Sequence, residues 1–232
     1  MNDRLQPVYA SPAGSGALTG ERNRVLRNTY WLLALSLVPT VLGAWVGVTT
    51  GVMARMGMGL STVIFLVGAF GLMFAIEKFK NSGTGVALLL GFTFFMGLML
   101  SRLIGAVLGF SNGSSLIMMA FGGTAAVFFA MASLATVIKR DLSNMGKFLF
   151  VGAIMLLVAG LINLFVQSSA LMITLSVIAI GLFSAFMLYD LKRVIDGGET
   201  NYVTATLAIY LDIYNVFQSL LALLGIFGGE RE

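Results

Sequence analysis

Two aspartates hold most of the chemistry available to this sequence. Asp190 stands in Leu188-Tyr189-Asp190 and Asp212 in Tyr210-Leu211-Asp212-Ile213-Tyr214-Asn215, each at or inside an otherwise apolar segment. A carboxylate in such surroundings is costly unless it is paired, protonated or facing water. Two acids held close together cannot both ionise cheaply, so one takes up a proton more readily than a solitary acid, and the pair titrates as a unit. Protonated, the pair closes through a shared hydrogen bond. With both acids ionised it attracts a hard cation such as Ca²⁺, which prefers carboxylate and carbonyl oxygens. The chemistry is therefore proton sensing, with Asp190 and Asp212 also a transient Ca²⁺ site. Tyr189, Tyr210, Tyr214, Asn215 and Ser219 are the candidate hydrogen-bond or ion-path partners.

Catalysis fits poorly. Histidine and cysteine are both absent, which removes the commonest general base, thiolate chemistry and the usual transition-metal ligands. Presenilin-type intramembrane proteases pair a Tyr-Asp with a Gly-x-Gly-Asp and a downstream Pro-Ala-Leu. Tyr189-Asp190 resembles the first part, but Ile209-Tyr210-Leu211-Asp212 lacks the glycines and the only prolines are Pro7, Pro12 and Pro39. No enzyme activity and no cofactor are expected.

Composition fixes what must position the acids. Of 232 residues, 58% are hydrophobic and only 10% charged, against about 25% charged in soluble domains. The chain is an all-α integral membrane protein. Its net charge of +4 is scattered between apolar stretches rather than gathered on a soluble face, which argues against nucleic acid and leaves membrane lipid as the bulk partner. Residues 1–27 form a polar tail ending in Arg22, Arg24 and Arg27, suited to lipid headgroups or to a protein contact. Residues 28–228 form the transmembrane domain.

A crossing helix needs about 20 apolar residues, and the charge-free gaps supply seven. They are Asn28–Ala54, Met56–Ile76, Asn81–Ser101, Leu116–Ile138, two within Phe148–Tyr189 joined at Gln167-Ser168-Ser169, and Val203–Phe227. Gly109 to Ser115 reads as a loop. Seven spans put eleven Lys and Arg on one side and Arg55, Arg102 and Arg231 on the other. By the positive-inside rule the amino terminus is cytoplasmic and the carboxyl terminus periplasmic. The seventh span has a re-entrant alternative, with the carboxyl terminus cytoplasmic, because Tyr210–Asn215 is short on hydrophobicity. Along it, Ala205, Ala208, Asp212, Asn215, Ser219 and Ala222 share one face, predicted to point into the bundle. Gly43, Gly47 and Gly51 repeat every four residues in the first span, the spacing of close helix packing or of a homodimer seam.

The turn between the acids carries a further signal. Gly197-Gly198-Glu199-Thr200-Asn201-Tyr202, with Tyr214-Asn215-Val216-Phe217-Gln218-Ser219-Leu220-Leu221, resembles the carboxyl-terminal signature of the Bax inhibitor family, in its bacterial YccA-like branch. Val25-Leu26-Arg27-Asn28-Thr29-Tyr30 and Gly122-Gly123-Thr124-Ala125 are similar to that branch as well. The resemblance runs from about Val25 to Gly228. It implies a seven-helix bundle around a central helix in the bacterial inner membrane, and two activities. One is a pH-sensitive Ca²⁺ leak controlled by an aspartate pair on the sixth and seventh spans, matched by Asp190 and Asp212. The other is modulation of the membrane AAA protease FtsH, in which the amino-terminal tail takes part. The arginine that the family places on the second span has no counterpart, since Thr62 to Ile76 contains no basic residue.

Overall fold

A computed structural model describes residues 13–230, with side chains from residue 20 onward. Eight helices follow one another: α1 (Ala13–Thr50), the single-turn α2 (Val52–Arg55), α3 (Met58–Phe79), α4 (Gly83–Leu108), α5 (Gly113–Val137), α6 (Met145–Val166), α7 (Ser169–Ile195) and α8 (Tyr202–Gly228). All but α2 are long and apolar enough to cross a membrane. The seven expected spans are thus all present, as an all-helical bundle. Residues 1–12 of the expected tail, and Arg231, lie outside the described residues.

The boundaries differ from the charge-free gaps for local reasons. α1 begins at Ala13 rather than near Asn28, so the part of the tail from residue 13 is helical, and Val25 is already buried. α1 stops at Thr50 rather than Ala54 because Gly51 is left-handed, with φ 63°, a conformation only glycine adopts without strain. Gly51 therefore ends the helix instead of extending the packing repeat. α5 starts at Gly113, before the expected Leu116. Gln167, also left-handed, separates α6 from α7 where the sequence placed a joint.

α8 runs unbroken for 27 residues, about 40 Å at 1.5 Å per residue. Its end lies against the α4–α5 turn, where Asn112 Nδ2 donates to the Gly228 carbonyl at 2.6 Å and Ser111 N donates to Glu230 O at 3.1 Å. The last helix crosses the bundle completely, which excludes the re-entrant alternative. It touches α1, α3, α4, α5 and α7 and buries residues all round, including Val203, Thr206, Tyr210, Asp212, Val216 and Leu221. The expected inward face is one part of a helix that is central on every side. Peripheral helices show the opposite pattern: α6 buries only Leu149 and leaves Phe148, Met155 and Phe165 exposed.

The tightest seam joins α1 to α4. A Cβ on Gly43 would strike the Phe94 carbonyl, one on Gly47 would strike the Ser101 side chain, and one on Gly97 would strike the Thr40 carbonyl. Reciprocal glycines let the two backbones approach closely. Gly43 and Gly47 thus serve packing within the chain, and the dimer-seam alternative loses those two positions.

At the end of the bundle that holds the α7–α8 turn, Asn201 is the organising residue. Its Oδ1 accepts from Val203 N at 2.9 Å and Thr204 N at 3.1 Å, capping α8. Its Nδ2 donates to the Lys80 carbonyl at 3.2 Å and to Asn81 Oδ1 at 2.8 Å, tying that cap to the α3–α4 turn. We expect Asn201→Ala to cost about 1–2 kcal/mol through loss of the cap. Thermal unfolding in detergent checks this, and an unchanged midpoint would contradict it.

Candidate functional site

α7 and α8 are antiparallel neighbours joined by the short turn 196–201. Gly197 makes the turn possible with φ 81°, and the α7 end folds back through Asp196 N to the Lys192 carbonyl and Gly198 N to the Arg193 carbonyl, both 2.8 Å. Because α7 continues to Ile195, Asp190 sits more than one turn inside the helix, where it can meet α8.

The structure brings the two aspartates together. Their carboxyl groups lie near enough across the α7–α8 seam to act on each other electrostatically. Asp212 is 3% exposed and lies at the centre of the bundle, whereas Asp190 is half-buried. Oδ2 of Asp212 is buried, and no amide, hydroxyl or cationic donor among the described residues reaches it. A carboxylate oxygen only accepts hydrogen bonds, so a bond between the two groups requires a proton on one of them.

Charged groups surround Asp190 on the turn side only. Arg193 and Glu199 lie within electrostatic reach of it, and they pair with each other at 3.1 Å. Lys192 pairs with Asp196 at 2.7 Å and also attracts Asp141 across the α5–α6 loop. The exposed Asp141 carboxyl is held below the ordinary carboxylate range, mainly by the Ser143 hydroxyl and then by Ser143 N. Glu77 pairs with Lys80 on the surface, and Lys78 lies over the Phe79 ring, so the charges closing α3 stay out of the bundle. No basic side chain on α3 faces the acids, in line with the missing arginine.

The other candidate residues are dispersed around the pair. Tyr189 packs beside Gly146 of α6. Tyr210 and Tyr214 each lie two positions from Asp212, about 200° around the helix, and point away from the acids towards α1 and α4. Tyr210 Oη shares a hydrogen bond with Thr40 Oγ1 at 2.9 Å and reaches the Thr93 carbonyl at 3.4 Å. Tyr214 Oη donates to the Met96 carbonyl at 3.3 Å. Both tyrosines therefore anchor α8. Asn215 and Ser219 stay on the Asp212 face, but the Asn215 amide donates to Leu211 of its own helix at 2.8 Å.

Sequence reasoning missed Thr40, Thr93 and Thr206. Thr206 Oγ1 donates to the Tyr202 carbonyl at 2.7 Å and touches the Thr29 carbonyl at 3.3 Å. A threonine in an apolar helix ordinarily satisfies itself on its own backbone, so nothing in its spacing shows which one also bonds across helices.

As a cation site the pair is incomplete by itself. Ca²⁺ takes six to eight oxygens, and no cluster of three or more acidic side chains exists among the described residues.

Known proteins resemble the chain along most of its length. It is 39% identical over 212 residues to an uncharacterized membrane protein of Vibrio cholerae, covering 90% of this chain and 92% of that one. It is 39% identical over 211 residues to an uncharacterized protein of Pseudomonas aeruginosa, with 90% and 92% covered. It is 37% identical over 203 residues to the Modulator of FtsH protease YccA of Escherichia coli, with 88% and 90% covered. Residues 22–229, from the exposed arginines of α1 to the end of α8, match the family described as inhibitor of apoptosis-promoting Bax1. A bundle of seven apolar helices around a central one, its turn signature and this near full-length match agree: the chain belongs to the Bax1-I family.

Proposed function

We propose that this protein is a proton-sensitive cation leak of the bacterial inner membrane, with Ca²⁺ as cargo and the Asp190–Asp212 pair as its gate. The amino terminus and the α7–α8 turn face the cytoplasm in this reading. The observation that carries it is the approach of the two carboxyls across the α7–α8 seam, with Asp212 enclosed in an apolar bundle. In the closed state one proton bridges the acids and ties α8 to α7. Loss of that proton leaves two like charges side by side, which drives them apart and makes the gap attractive to a divalent cation. Arg193 and Glu199 at the turn, and Asn215 on the acid face of α8, are the polar groups best placed to tune the opening.

Because the chain has no cysteine, the gate can be tested by cross-linking. In Asp190→Cys combined with Asp212→Cys, a short thiol–thiol cross-linker should join α7 to α8 in high yield in the membrane. Absence of that cross-link would contradict the approach of the two positions on which the gate rests.

A second reading is supported by the 37% identity to a protein named as an FtsH modulator. Here the chain acts without catalysis by docking on the membrane protease. Arg22, Arg24 and Arg27 are all exposed and provide the contact, while Val25 between them packs into the bundle. We expect replacing the three arginines by glutamine to reduce co-purification with FtsH about tenfold, the effect of losing roughly 1.4 kcal/mol of binding, without changing Ca²⁺ flux. Undiminished capture would remove the arginines from the interface.

A further inference from the structure

The end of the bundle opposite the acid pair holds a cleft of about 400 Å³. It lies between the end of α1, the α2 segment and α4. Its walls are small, formed by Gly47, Gly51, Ala54, Gly105 and Ala106, with Arg102 projecting among them. Arg102 Nη1 makes two long hydrogen bonds, 3.4 Å to the Met56 carbonyl and 3.3 Å to Ser61 Oγ. A guanidinium has five donors in a planar fork, so most of its capacity is unspent. A second arginine lies at the cleft's edge: Arg55 follows the lining residue Ala54, and its Nε lies 3.8 Å from where a Cβ on Gly51, also a lining residue, would stand. No carboxylate among the described residues pairs with either arginine. Two unneutralised guanidiniums beside a cleft lined by small residues suit a tetrahedral oxyanion, which arginine recognises through parallel N–H···O bonds.

An exposed apolar face of α1 adjoins the cleft. Val48 lines it, and Trp45 lies three residues earlier, on the same face of α1. Trp45 is 64% exposed, and Leu42 one turn further along is exposed too. A molecule with an anionic head and an apolar tail fits this arrangement better than a free ion. We propose that the α1–α2–α4 cleft is a binding site for the phosphate of a net-anionic phospholipid, held by Arg55 and Arg102, with an acyl chain lying along Val48, Trp45 and Leu42. This site is independent of the aspartate gate.

Trp45 provides the readout. The chain has two tryptophans, so a Trp31→Phe background leaves Trp45 as the only one. The protein is reconstituted in phosphatidylcholine vesicles containing a minor fraction of either brominated phosphatidylglycerol or brominated phosphatidylcholine. Each basic residue near anionic lipid favours association about fivefold. Trp45 should therefore be quenched by the brominated phosphatidylglycerol with an association constant at least about fivefold above that for the brominated phosphatidylcholine. The preference should fall towards one in Arg55→Gln combined with Arg102→Gln, and persist in Arg102→Lys. Inorganic phosphate added at constant ionic strength separates the two sources of the anion. No displacement supports the lipid, whereas displacement at millimolar phosphate supports the same phosphate chemistry with a soluble anion. Equal quenching by both lipids, together with no effect of phosphate on Trp45 fluorescence, overturns the proposal. An unchanged preference in the double arginine variant, with wild-type thermal stability, overturns the assignment to Arg55 and Arg102.

Discussion

Asp212→Asn should abolish the pH dependence of Ca²⁺ flux, and Asp190→Asn should do the same. In the proposed gate a single proton bridges the two carboxyls, and its loss at higher pH places two negative charges in a medium that screens them poorly. The sign follows from that bond. The bridged state needs the proton, so it is favoured at low pH and gives way to the separated state as pH rises. An asparagine keeps a hydrogen bond to the remaining acid through its amide at every pH, so like-charge repulsion never develops. Flux in Asp212→Asn should stay at the low-pH wild-type level, at least tenfold below wild type under alkaline conditions, equivalent to about 1.4 kcal/mol of lost opening energy. Asp190→Asn should show a similar loss with better preserved stability, because Asp190 is half-buried and Asp212 almost wholly enclosed. Flux in either variant that still rises with pH would remove the pair as the sensor.

The largest effect on stability should come from Gly97→Ala. In an open helix position alanine is favoured over glycine by about 0.5–1 kcal/mol. Gly97 is not open: its new Cβ would meet the Thr40 carbonyl of α1, with the Thr40 carbonyl carbon at 2.9 Å and Ala44 N at 3.0 Å. These are backbone atoms of a packed helix and cannot swing aside as a side-chain end would. The α1–α4 seam must spread, which also strains the Thr40–Tyr210 bond that anchors α8. We expect a loss of about 3 kcal/mol, the upper end of overpacking costs. Gly122→Ala in α5 is the control, since nothing stands within 4 Å of its Cβ position, and it should be neutral or slightly stabilising. Unfolding midpoints of the two variants in the same detergent decide the matter. Equal midpoints would mean that the seam is not close-packed in the membrane protein.

Much of this architecture was legible because charge is so scarce. Seven spans follow from where charges are absent, and the joint at Gln167-Ser168-Ser169 follows from polarity inside a long apolar gap. Asp190 and Asp212 stand out for the same reason: Asp212 is the only charge in its span, and Asp190 lies on the helix before the turn signature. What stayed hidden depends on the angle around α8. Tyr210 and Tyr214 were grouped with Asp212 because they are near it in sequence. Two residues along a helix is more than half a turn, so they face α1 and α4 instead. The repeat Gly43-Gly47-Gly51 carried close packing in its spacing, but not the identity of the partner. That partner was fixed by Gly97, which opposes Thr40, and the conformation of Gly51 removed it from the series. The start of α1 was also obscured, because its polar first turns lack the apolar signal by which the spans were found.

The central claim is tested most directly by wild-type protein reconstituted into liposomes that enclose a Ca²⁺ indicator, with initial influx measured across a series of pH values. The account predicts influx above that of protein-free vesicles, rising as pH increases and the proton shared by Asp190 and Asp212 is lost. Influx equal to that of protein-free vesicles at every pH would contradict it.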